Sequence, residues 1–277
     1  MTIFALLQAN ALIQIMAFFC VWAILWLPFA IITALALNWN PKKPLSSNQK
    51  LSLLASLYLI APLLIWGCAK LQNLSFSDYG LTFNLSILYS LFIGLIIGIL
   101  GLIILFGVQL ALAFIKWQTD ANEKLPSLPS LAITTLLIGL WVSFSEELIF
   151  RGFLLTQLQK DYSFWMSAII SSIIFAILHL IWEVRETVPQ LLGLWIMGMV
   201  LVLARISDRG NLGIPIGLHA AWIWGIATLD TAQLITYTGK APEWVTGLNK
   251  KPLAGVIGIL LLLSTAAILI KNNPHYP

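Results

Sequence analysis

Charge is what this sequence has least of. Only 9% of its 277 residues are Asp, Glu, Lys or Arg, where a water-soluble chain carries about 25%. That scarcity excludes a fold bathed mainly in water. No basic run exceeds Lys42-Lys43 or Lys250-Lys251, so the net charge of +4 is not a nucleic-acid-binding face, and no nucleic-acid partner is expected. The two cysteines, Cys20 and Cys68, lie in apolar segments and form no CxxC or other ligand pattern; they read as small hydrophobic fillers. No charged residue precedes Lys42, so the N-terminus lacks the basic start of a signal peptide and reads as a retained membrane helix. Repeats, low-complexity tracts and a separate soluble domain are also missing.

What is there is apolar. Hydrophobic residues make up 60% of the chain, with 12 Trp and a mean hydropathy of +0.93. The sequence predicts an all-α, polytopic transmembrane helix bundle of about eight helices, each able to cross a hydrocarbon core of about 30 Å. The expected spans are 11–37, 51–69, 85–115, 131–159, 164–182, 188–205, 212–230 and 253–270, within one integral membrane domain over 1–277 and in contact with membrane lipids. Pro28 and Pro62 fall inside the first two spans, where packed neighbours tolerate a kink. Gly94 and Gly98 form a small-xxx-small face suited to close packing within one bundle. Trp39, Trp117 and Trp182 stand at span ends, as an interfacial aromatic belt requires. The connection holding Lys42, Lys43 and Lys50 is the clearest positive loop, and placing it in the cytoplasm puts the N-terminus outside. The polar stretch from Thr231 to Pro252 reads as a surface loop.

The exception to the apolar pattern is Ser145-Glu146-Glu147-Leu148-Ile149-Phe150-Arg151, three ionisable residues inside one span. Even one charge at the centre of a membrane helix costs about 2.5–3.5 kcal/mol, so three need partners and usually a task. Adjacent helical residues point about 100° apart, so Glu146 and Glu147 cannot share one role. Glu147 is four residues before Arg151, the favourable order for an intrahelical ion pair, which leaves Glu146 as the chemically available carboxylate. Two of the three histidines, His179 and His219, also lie in apolar spans, while His275 sits in the polar tail and reads as idle. Counting from the turn near Asp161 puts Glu146 and His179 within about 4.5 Å in depth. The same count from Arg209-Gly210 leaves His219 about 9 Å shallower than Glu146. One carboxylate and two imidazoles in a wet pocket are the parts of a hydrolase: a base for water, with imidazoles to bind a metal or steady an oxyanion.

Glu-Glu-x-x-x-Arg, then Phe175-x-x-x-His179, then His219 in a later apolar helix resembles the CAAX prenyl protease and bacteriocin-processing family of intramembrane proteases, also called the Abi or type II CAAX endopeptidase family. The resemblance covers about residues 130–230, the expected protease-like core. It implies an endopeptidase acting on peptide or membrane-protein substrates near the membrane surface. Glu146 would activate water, with His179 helping to hold it and His219 stabilising the oxyanion. Glu147, Arg151 and Phe175 would support the site. It leaves open whether Glu146, His179 and His219 hold zinc or work as a metal-free glutamate protease. One position departs from the family pattern: Asn is common four residues after the last His, and Ile223 stands there. Losing one oxyanion donor costs about 10²–10³ in rate; the indole N–H of Trp222 is the substitute that the spacing offers. Ile223 also motivates an alternative, a catalytically impaired membrane scaffold of the same fold. A proton relay through Glu146, His179 and His219 is a third reading, without the internal symmetry expected of transporters.

Overall fold

The computed structural model describes residues 6–40, 42–118 and 127–271; His275 and the rest of the tail lie outside the described residues. The long helices are α1 (Ala11–Ala36), α2 (Ser47–Leu71), α3 (Leu85–Ala111), α4 (Leu128–Glu147), α5 (Phe164–Leu178), α6 (Leu191–Ser207), α7 (Gly213–Thr231) and α8 (Val256–Lys271). Each coincides with one of the apolar runs expected to be a span. Among the described residues, six stretches can cross a bilayer by length and composition: α1, Asn48–Leu71 in α2, α3, Leu128–Leu158, Phe164–Ile181 and Val184–Ser207. The apolar α8 is shorter, and the first half of α7 is buried among its neighbours. The protein is a multi-pass integral membrane protein.

Local chemistry explains where the helices begin. The Asn10 side chain accepts from Ile13 N–H at the start of α1. Ser46 and Gln49 form a reciprocal capping box at the start of α2, and Asn84 accepts from Ile87 N–H for α3, each satisfying backbone donors that the helix cannot. Pro28 and Pro62 stand inside α1 and α2 without ending them. Two short strands were not expected. β1 (Ile115–Trp117) pairs antiparallel with β2 (Ile235–Tyr237), Lys116 opposite Thr236. They pin the 231–252 connection to the end of α3.

The connections sort into two groups by contact, as alternating crossings require. On one face Lys50 pairs with Glu183 (2.7 Å), Lys251 pairs with Glu186 (3.2 Å) and β1 meets β2. On the other, Ala11 N–H donates to Asp161 Oδ2 (2.5 Å), Lys160 Nζ donates to Gln72 Oε1 (2.6 Å), and Leu212 N–H donates to Gly80 O (2.8 Å).

At the centre, α7 lies along α3 with almost no side chain between them. A methyl group on Gly94 would strike Ile214 O, and one on Gly217 would strike Leu91 O. The small face read from Gly94 and Gly98 thus serves packing inside the bundle, against α7. Gly217→Ala forces two backbones apart and is expected to cost about 1–3 kcal/mol, visible as a lower thermal midpoint in detergent. Gly107→Ala, where an added methyl meets nothing within 4 Å, should leave the midpoint unchanged or raise it slightly.

Candidate active site

Glu146 and Glu147 are the last residues of α4, and the next seven, Leu148–Leu154, form a π-helical turn before the helix resumes at Leu155–Leu158. Such wide turns are rare and concentrate at functional sites. All seven residues are buried, as are both glutamates, so each polar atom here must find a partner inside the protein.

Arg151 supplies the first. Its Nη1 donates to Glu147 Oε1 at 3.1 Å, its Nη2 donates to Gly198 O at 3.2 Å, and its guanidinium lies 4.3 Å from the centre of the Phe175 ring. Arg205, in the last turn of α6, donates to Arg151 O. The ion pair read from the four-residue spacing is present, fully buried and tied to a second helix. Close approach of α6 to α5 keeps it there, since a methyl group on Gly198 would press on Ser172.

His219 supplies the second partner. Its Nδ1 is 2.7 Å from Glu147 Oε1 and its Nε2 is 3.7 Å from Glu146 Oε2. The depth count that set His219 about 9 Å too shallow is corrected, because it took the turn at Arg209-Gly210 as the start of a helix at the membrane surface. The α7 start is instead drawn inward. Leu212 N–H bonds to Gly80 O, Asp208 accepts from Ser90 Oγ (2.5 Å) and Ile214 N–H (3.0 Å), and Gly213, Pro215 and Ile216 are already buried. Glu147 is therefore also more than a counter-charge for Arg151: it orients His219.

His179 occupies the end of α5, with Nδ1 2.8 Å from Phe175 O. The Phe175 ring meets both imidazoles edge-on, at 4.6 Å from His179 and 6.0 Å from His219. His179 lines the same cavities as Glu146, and the nearest imidazole that the geometry gives Glu146 is His219. Trp222 is buried with its indole Nε1 unpartnered, and both Trp222 and Ile223 line a cavity shared with Glu146.

Sequence reasoning missed Tyr58. Its hydroxyl donates to Glu146 Oε1 from α2, and nothing in a lone tyrosine within an apolar helix marks that role. The other oxygen, Glu146 Oε2, is buried without a hydrogen-bond partner.

Two cavities meet here. One, of 480 Å³, is bounded by Glu146, His179, His219 and Trp222 and reaches Glu183, Glu186, Asp230 and Lys251 at the rim. The other, of 470 Å³, is lined by Trp22, Trp26, Leu57, Tyr58, Phe150 and neighbours between α1, α2 and α5. They share Val142, Glu146, His179 and Trp182.

For a metal, the two imidazoles have a suitable orientation, each with Nδ1 engaged and Nε2 left over. Among the described residues, however, no three His, Cys, Asp or Glu side chains close into a ligand set. As arranged, Glu146, His179 and His219 do not fit a zinc ion.

Arg151→Met removes the cation beside Glu147 and is expected to cost about 3–5 kcal/mol, read from unfolding in detergent. Adding Glu147→Gln to that variant should recover part of the loss.

A family model described as "Type II CAAX prenyl endopeptidase Rce1-like" matches residues 128–225, a stretch that holds Glu146, Glu147, Arg151, Phe175, His179, His219, Trp222 and Ile223 but not Tyr58. Comparison with curated proteins and with solved structures gave no match. Residues 128–225, from the start of α4 into α7, are thus similar to the type II CAAX prenyl endopeptidase Rce1-like family.

Proposed function

We propose that this protein is an intramembrane endopeptidase in which Glu146 is the general base. The observation that carries the reading is Glu146 Oε2: a carboxylate oxygen, buried and without a hydrogen bond, on the wall common to both cavities. A buried polar atom without a partner calls for a water or a reactant.

In this mechanism Oε2 takes a proton from water as the water oxygen attacks the peptide carbonyl carbon. The carbonyl oxygen becomes an oxyanion. His219 keeps Nδ1 on Glu147 and offers Nε2–H to the oxyanion. Trp222 Nε1 is the second donor, in the role that Ile223 cannot fill. Glu146 then passes its proton to the amide nitrogen as the oxyanion collapses and the C–N bond breaks, releasing an amine and a new carboxylic acid, which gives up its proton to water or to the amine. His179 stands across the cavity wall, positioned by Phe175. No step is routed through zinc, because the donors do not converge on one.

The substrates are peptides or membrane proteins reaching the site from the lipid. The family name makes a prenylated CAAX peptide the first to try. Glu146→Gln is expected to lower cleavage by about 10²–10⁴-fold while the protein keeps its thermal midpoint; undiminished cleavage by that variant rejects the assignment. Trp222→Phe should lower kcat by about 10²–10³, and Ile223→Asn added to it should restore part of that rate. Metal content measured by mass spectrometry on the same samples tests zinc: a metal retained by the unmodified protein and lost with His179→Ala and His219→Ala would replace the metal-free scheme.

A further inference from the structure

The Tyr58 hydroxyl comes from α2, outside the 128–225 match, and is directed at one oxygen of Glu146. The ring itself is held. Trp22 of α1 lies nearly parallel to it, with centroids 6.4 Å apart and planes at 21°. The Trp22 indole N–H donates to Leu57 O at 3.0 Å, fixing that ring to the neighbouring turn of α2. Phe18 continues the contact from Trp22 to Phe153, with centroids 4.4 Å apart between Phe18 and Phe153. Phe153 belongs to the π-helical turn that follows Glu146. The donor and the helix that bears its acceptor are thus clamped to one another by an aromatic chain.

A carboxylate has two equivalent oxygens and a soft terminal torsion. Nothing in Glu146 alone decides which oxygen faces the water. Tyr58 removes the equivalence: Oε1 is engaged by the phenol, and Oε2 is left opposite His219 Nε2 at 3.7 Å. We propose that Tyr58 is a positioning residue for the hydrolysis, holding Glu146 by Oε1 so that Oε2 alone is presented to water and the scissile carbonyl. This rests on the reading of Glu146 as the base. It also gives α1 and α2, which the protease-like core does not include, a part in the reaction.

The test uses full-length protein in detergent and an internally quenched peptide with a prenylated CAAX C-terminus. Rates are measured for the unmodified protein, Tyr58→Phe and Glu146→Gln. Tyr58→Phe keeps the ring on Trp22 and removes only the hydroxyl. Loss of orientation should lower kcat by about 10–100-fold and leave KM within about twofold. A kcat equal to that of the unmodified protein, or a change confined to KM, overturns the proposal. Glu146→Gln separates the two ideas. If it is inactive while Tyr58→Phe is fully active, Tyr58 fails and the base stands; if it is fully active, or if the unmodified protein leaves the peptide intact, both fall. A second measurement does not depend on how well Tyr58→Phe folds. With 3-fluorotyrosine at position 58, the fluorine resonance should shift when Glu146→Gln is introduced, and an unmoved resonance overturns the proposal.

Discussion

The structure turns on the need to neutralise two adjacent carboxylates in an apolar interior. Glu146 and Glu147 are both buried, and an unpaired buried ion costs several kcal/mol. Arg151 answers for Glu147 within the same helix, but that guanidinium brings needs of its own. Gly198 O takes a second nitrogen and the Phe175 ring one face. His219 then closes on Glu147 from α7, and Tyr58 on Glu146 from α2. One pair of acids accounts for the convergence of α2, α4, α5, α6 and α7.

Packing follows the same demand. For His219 to reach Glu147, α7 must begin below the surface and lie close to α3. Glycines at 94 and 217 permit the approach, and Asp208 with Gly80 O satisfies the backbone that is thereby taken from water. The charged site and the tight glycine seam are two parts of one arrangement.

Much of this could be read from the sequence. The eight long helices follow from hydropathy, because in lipid an apolar run has few alternatives to a helix. The Glu147–Arg151 pair follows from helical spacing. His219 beside both glutamates does not, since a count of residues assumes that the next helix starts at the surface, and α7 starts among buried residues, Leu212 and Gly213. The π-helical turn at 148–154 leaves no compositional trace, and the strands β1 and β2 were hidden in a span end and a polar loop. Tyr58 was invisible for a different reason: its meaning depends wholly on what stands opposite, 88 residues away.

The pair of cavities sharing Glu146 and His179 bears on a general difficulty of hydrolysis inside a bilayer. One reactant is polar and the other is greasy, and a single entrance would oblige each to cross the other's medium. Here one chamber runs out to acidic and basic side chains on the face bearing Lys50 and Lys251, and the other is walled by tryptophan, phenylalanine and leucine between α1 and α2. Glutamate 146 stands at their junction, like a valve seat between two pipes. In the proposed hydrolysis the solvent takes one door and the chain to be cut the other, and they meet at the wall of Val142, Glu146, His179 and Trp182.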